Sequence, residues 1–164
     1  MTVINTTTDR ANLTLTVIAE FEATPEEVWE VWEDARKLER WWGPPCYPAT
    51  FTRHEFAVGG ESRYFMTAPA GNKHWGWWRI RVMERPNRLE FANGLAGDDG
   101  EPAPGLEPIP AYVTFAPIPG GTRMTVESRF LDVGQMETML DMGMQEGMAL
   151  AVGQIDGILA GATV

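Results

Sequence analysis

The sequence predicts an α+β domain in which a curved sheet grips one long C-terminal helix. Two observations carry that expectation. From Asp132 to Ala160, the residues Val133, Met136, Leu140, Met144, Met148, Ala151, Ile155 and Ile158 recur at spacings of three and four, a single apolar stripe of helical period. Such a helix would span about 43 Å, roughly the width of a compact chain of 164 residues. Nearly everything before it alternates apolar and polar residues in short runs separated by turn signals, the pattern of half-buried strands.

The elements follow in order. Residues 1–11 are polar and are expected as a flexible N-terminus, leaving 12–160 as a single domain. Leu13, Leu15, Val17, Ala19 and Phe21 alternate with Thr14, Thr16 and Glu20 as a first strand. Thr24-Pro25-Glu26-Glu27 supplies an N-cap hydroxyl, a proline at the first helical position and a glutamate able to close a capping box. The helix it starts carries Val28, Trp29, Trp32 and Ala35 on one side; it runs or kinks towards Trp41-Trp42 and stops at Gly43-Pro44-Pro45.

Further strands are expected over 50–56, 61–67, 73–83 and 88–95, and a last hairpin over 111–116 and 122–130. Residues 96–110 hold four prolines and three glycines and form a loop, long enough to act as a lid or to be mobile. Asp132 caps the final helix as Thr24 caps the first.

Composition excludes several function classes. An apolar content of 44% is ample for one core. No apolar run approaches the roughly 20 residues of a membrane span, and no signal peptide opens the chain. Cys46 is the single cysteine, so no internal disulfide forms, which suits a reducing cytoplasm. A net charge of −10 repels phosphate backbones and anionic lipid, so neither nucleic acid nor a membrane surface is an expected partner.

The order of motifs carries a resemblance. A strand, a capped helix ending in Trp41-Trp42-Gly43-Pro44, Gly59-Gly60 with Arg63-Tyr64 and Met66, Pro86 with Arg88-Leu89 and Phe91, then Gly120-Gly121-Thr122-Arg123-Met124-Thr125-Val126 and a glycine-bearing helix follow one another. From Asn12 to Leu159 this resembles the START-like (SRPBCC) superfamily, and more narrowly the homologues of the C-terminal domain of the heat-shock-90 ATPase activator. The resemblance implies a helix-grip fold: about seven antiparallel strands wrapped around the C-terminal helix, two short helices after strand 1, and an internal cavity. It also implies a link to chaperones and stress response, although no counterpart of the activators' extra N-terminal domain is evident. Many relatives have Gly-Trp in the last helix where this chain has Gly147-Met148, implying a more pliable and less aromatic pocket.

The helix itself hints at a cavity. Gly143, Gly147, Gly153, Gly157 and Gly161 fall beside the apolar stripe, each costing about 1 kcal/mol relative to alanine. Either another element packs closely there, the simpler reading, or the missing side chains leave room. Five of the nine methionines lie between Met136 and Met148, a flexible and polarizable surface that is more often plain core. Met139 and Met142 lie off the stripe, where they would line a pocket mouth or a homodimer contact. Trp41 and Trp42 are adjacent, so one is expected in the core and the other towards a cavity. Trp75 and Trp77 share the outward face with Arg79 and Arg81, as cation–π cover.

Catalytic and cofactor signals are thin. Ser62 and Ser128 lie in no Gly-x-Ser-x-Gly context, and no glycine loop precedes a helix to cradle phosphate. Two histidines and one cysteine fall short of a structural zinc set, so neither a metal nor another cofactor is expected. His54 and His74 could meet across strands with Glu55 or Glu61. Tyr64 and His74 remain weak candidates for a donor and a proton relay.

The leading expectation is a binding protein for a small hydrophobic or aromatic molecule held between sheet and helix by Trp42, Tyr64, Met66, Trp78, Phe91, Met144, Gly147 and Met148. The alternatives are a cyclase, dehydratase or hydrolase acting on such a ligand, and a chaperone-linked protein.

Overall fold

The computed structural model describes residues 3–161, with side chains from Asn5 onward. Eight strands form one antiparallel sheet: β1 (Val3–Asp9), β2 (Thr14–Phe21), β3 (Ala49–His54), β4 (Glu61–Thr67), β5 (Lys73–Glu84), β6 (Arg88–Leu95), β7 (Ile109–Ile118) and β8 (Gly121–Arg129). Their order across the sheet is β1-β2-β8-β7-β6-β5-β4-β3. Two short helices, α1 (Pro25–Glu33) and α2 (Ala35–Leu38), follow β2. The C-terminal helix is built in three segments, α3 (Val133–Asp141), α4 (Met144–Val152) and α5 (Ile155–Gly161). This is the helix-grip architecture, with one strand more than the seven expected.

The additional strand is β1. Residues 3–9 lie within the stretch expected to be flexible, yet Val3 to Asp9 pair with Glu20 to Thr14. Thr6, Thr7 and Thr8 give little hydrophobic alternation, so the strand is invisible to a pattern search; its affinity for the sheet comes from backbone pairing and β-branched side chains. Residues 1 and 2 of the expected flexible terminus lie outside the described residues.

Local chemistry places α1 as expected. The Thr24 hydroxyl accepts from the Glu27 N–H at 3.2 Å, and the Glu27 carboxylate accepts from the Thr24 N–H at 3.0 Å, closing the capping box. With Pro25 in its first turn, α1 buries Val28, Trp29, Val31 and Trp32 against the sheet. Asp34 ends α1 and caps α2 through the Arg36 N–H.

The resulting core is aromatic. Trp32 lies within 6.4 Å of Trp41, Trp42, Trp78, Phe91 and Phe115, mostly edge to face. Trp78 and Phe91 stack at 4.3 Å. A bulge between Ile80 and Val82 reverses the inward parity of β5, so Met83 packs on this core while Arg81 is exposed. A smaller cluster of Leu15, Ile109, Phe130 and Met136 holds α3 to the other end of the sheet.

On the outer face Arg79 pairs with the Glu61 carboxylate, and no cation–π contact to Trp75 or Trp77 occurs among the described residues. Glu61 is bridged by Arg53, Arg63 and Arg79, while Lys73 sits over Phe65 at 4.3 Å. Arg63 also reaches Glu101 at 2.8 Å and the Gly100 carbonyl at 3.2 Å, which straps the 96–110 loop to β4. Ala96 bridges Pro102 within that loop. Trp77 covers Gly94 so closely that a Cβ there would lie 2.4 Å from the indole.

The two histidines stand apart. His54 accepts from the Ser62 hydroxyl through Nδ1 at 2.7 Å and donates from Nε2 to the Trp32 carbonyl at 2.9 Å, an assignment fixed because a carbonyl can only accept. Ser62 and Met66, which pair with Trp78 and His74, are four residues apart on β4, or about 13 Å. His54 and His74 therefore never meet.

Burial holds the His54 imidazole below its ordinary pKa of 6.5, despite the Trp32 carbonyl and the nearby Glu33 and Asp34. The unfolded chain then binds this proton more readily than the folded one. The His54 contribution to stability is complete above about pH 6.5 and is lost as pH falls towards the folded value. Melting temperatures measured between pH 7.5 and 5 should drop more steeply for the wild type than for His54→Gln, which stays neutral; parallel curves would contradict this.

Candidate functional site

A cavity of about 520 Å³ opens between the aromatic core and the α3 cluster. It is of the size that takes one small organic molecule. Its inner wall starts at the turn after α2. There the Trp41 indole donates to the Val31 carbonyl at 2.9 Å and disappears into the core, while Trp42 faces the cavity. The turn is tight: a Cβ on Gly43 would lie 2.0 Å from the Tyr47 carbonyl oxygen. Gln154, between α4 and α5, donates its amide to the carbonyls of Trp41 (3.3 Å) and Gly43 (2.7 Å) and fixes this corner to the helix.

The sheet contributes Tyr64 and Met66 from β4, Asn93 from β6 and Ile109 from β7. Tyr64 lies flat over its neighbour on β5 because that neighbour is Gly76, where a Cβ would sit 2.4 Å from the ring. Its hydroxyl donates to Asn93 Oδ1 at 3.1 Å. Burial pushes the Tyr64 pKa up to about 12, against the lowering effect of the Trp42 indole N–H turned towards its oxygen. That indole N–H is buried and leans on the Tyr64 hydroxyl, but among the described residues no acceptor meets it in good hydrogen-bond geometry.

The helical wall consists of Met139 and Met142 from the α3 end, then Met144, Gly147, Met148 and Ala151 from α4. The helix breaks at Gly143, whose φ of +86° only glycine adopts without strain. A Cβ at Gly143, Gly157 or Gly161 would touch nothing within 4 Å, and one at Gly147 only Pro44 Cγ at 4.0 Å. Close packing therefore does not explain these four glycines. At Gly143 and Gly147 the missing side chains enlarge the cavity.

The mouth is formed by Leu95, Leu106, Leu131 and Met142, all exposed. Gln135 of α3 donates to the Glu107 carbonyl at 3.0 Å, so the distal part of the 96–110 loop is a fixed rim.

Of the residues expected to line a pocket, Trp42, Tyr64, Met66, Met144, Gly147 and Met148 surround this cavity. Trp78 and Phe91 do not. They share the inward parity but lie where Trp32 and Trp42 already fill the space, and they are 0% and 1% exposed. Asn93, Ile109 and Gln135 were not anticipated. Asn93 carried a usable signal, since it shares the parity of Phe91 on β6 and is the polar residue of an apolar face. His74 reaches the cavity only at its mouth, exposed and hydrogen-bonded to Asn72 at 3.1 Å. It is no partner for the buried Tyr64 hydroxyl, whose hydrogen bond goes to Asn93.

Among the described residues no helix is long and apolar enough to cross a membrane, and no cluster of three metal-ligating side chains occurs.

Known proteins with this architecture are numerous. The solution structure of a protein from Arthrobacter aurescens is 46% identical, superposes with a TM-score of 0.90, and the match covers 95% of this chain and 91% of that one. A crystal structure of a protein from Mycobacterium smegmatis is 37% identical, with a TM-score of 0.88 over 96% and 97% of the two chains. The AHSA1 protein of Silicibacter pomeroyi, at 22% identity and a TM-score of 0.73 over 90% and 97%, shares the fold. No curated protein matches. The family model described as Activator of Hsp90 ATPase homolog 1-like protein matches residues 22–160. The chain is a member of that family, on the START-like helix-grip fold.

Proposed function

We propose that the protein is a binding module for a small apolar or aromatic molecule, held between the sheet and α4. The observation that carries this reading is the chemistry of the cavity wall. Aromatic, aliphatic and methionine side chains make up most of it, and Tyr64, the one titratable group in its interior among the described residues, stays neutral until about pH 12. An apolar cavity with a few polar groups at one place is the usual form of a ligand site. Catalysis by acid and base would need a second titratable group converging on the first, and the remaining lining candidates, His74 and Glu107, are both exposed at the mouth.

The methionines support binding over rigid packing. Met66, Met139, Met144 and Met148 are half-buried, with unbranched side chains that adapt to the shape of a guest.

A thermal-shift screen of apolar and aromatic compounds tests the proposal. A ligand at 100 times its dissociation constant adds about 2.7 kcal/mol, which for a domain of this size raises the melting temperature by roughly 5–10 °C. Uniform silence across a few hundred compounds would contradict a working pocket.

Gly147→Leu places a side chain in the cavity and removes a helical glycine. It should weaken any ligand found by at least about tenfold while the free protein keeps or gains about 1 kcal/mol of stability. Unchanged affinity in calorimetric titration would put the ligand elsewhere.

A further inference from the structure

Resting on the reading that the cavity binds a small molecule, we propose that its ligand is a neutral carbonyl compound whose oxygen is received by Asn93 and Trp42. Three polar groups meet at the Trp42 corner of an otherwise apolar cavity. The Tyr64 hydroxyl gives its proton to Asn93 Oδ1 at 3.1 Å. That bond goes to the amide oxygen and leaves the Asn93 Nδ2 group, on a residue that lines the cavity, as a donor without a hydrogen bond among the described residues. The Trp42 indole N–H, on a residue only 7% exposed, leans on the Tyr64 hydroxyl oxygen and has no well-aligned acceptor among the described residues. The N–H donors left without a good acceptor at this corner are therefore Asn93 Nδ2 and the Trp42 indole. A buried donor without a partner is costly, and a ligand acceptor removes that cost at the moment it binds.

Charge narrows the class further. No lysine or arginine lines the cavity among the described residues, and Glu107 stands at the rim. A carboxylate driven inside would lose its hydration with no cation to replace it. A ligand ammonium would likewise lose its hydration with no carboxylate inside the cavity, Glu107 being exposed at the rim. Tyr64, neutral to about pH 12, keeps its proton on Asn93 and so holds the amide in its donating orientation. What fits is an uncharged molecule with one acceptor at its end or edge and an apolar body against the methionines. A ketone is the simplest such compound.

Matched pairs that differ only in the carbonyl test this: fluorenone with fluorene, benzophenone with diphenylmethane, and anthrone with dihydroanthracene. Dissociation constants are read by NMR titration of the whole protein, following the Asn93 side-chain amide. The ketones should bind at least about fivefold tighter than their hydrocarbons and shift the Asn93 amide resonances. Asn93→Leu should lower the ratio at least about twofold, the Trp42 N–H remaining, while hydrocarbon binding persists, and a fluorenone carboxylate should bind more weakly than fluorenone.

Equal affinity for both members of the pairs, or preference for the hydrocarbon, overturns the proposal and leaves the cavity reading intact. A ketone preference unchanged in Asn93→Leu overturns the assignment to Asn93. Failure of every probe to bind overturns the cavity reading itself, and this proposal with it. Should Asn93→Leu not fold, the comparison in the wild type alone decides.

Discussion

The corner at Trp41-Trp42-Gly43 is the constraint on which the site depends. Two backbone carbonyls there point towards the helix, away from any strand partner, and Gln154 satisfies both with one amide group. Held in this way, Trp41 completes the aromatic core through the Val31 carbonyl and Trp42 becomes the partition beyond which the core stops. Loss of the Gln154 contacts would leave buried carbonyls unpaired and free the partition to collapse into the space beside it. The same turn admits no side chain at Gly43, so its sequence and its clamp are mutually required.

From that partition the domain divides into two packing regimes. On one side, Trp29, Trp32, Trp78 and Phe91 fill the space under α1 and α5 with rings, leaving no room for a guest. On the other, α3 is secured by its own small cluster around Met136 and Phe130. The two clusters are not packed against each other across the whole sheet, and the cavity is the gap between them. Gly143 lets the helix turn from one regime to the other, and Gly76 lets Tyr64 lie over its neighbour on β5. Methionines border the gap from α3 and α4, a flexible and polarizable lining.

Much of this was legible in the sequence. The period-two alternation of Leu15 to Phe21, the Thr24 capping box and the apolar stripe from Met136 to Ile158 each named its element, because each is a local rule with a local cause. Six of the expected lining residues surround the cavity for the same reason: parity and helical face are local properties. What escaped was set by tertiary contact. Parity gave Trp78 and Phe91 the right face, but only the packing of Trp32 and Trp42 decides that their end of the sheet is solid. The threonine-rich β1 lacks a hydrophobic signature, and the break at Gly143 lies inside an unbroken stripe. The glycines looked like close-packing sites because sequence shows which side chain is missing, not whether a neighbour takes its place.

The most direct test of a ligand-binding gap between the two clusters is a methyl NMR spectrum of methionine-labelled protein titrated with fluorenone. The described methionines range from exposed Met142 to fully buried Met124 and Met136. The account predicts that Met66, Met144 and Met148 shift and show contacts to the ligand, while the fully buried Met124 and Met136 stay unmoved. Shifts confined to other methionines, or none at saturating ligand, would contradict it.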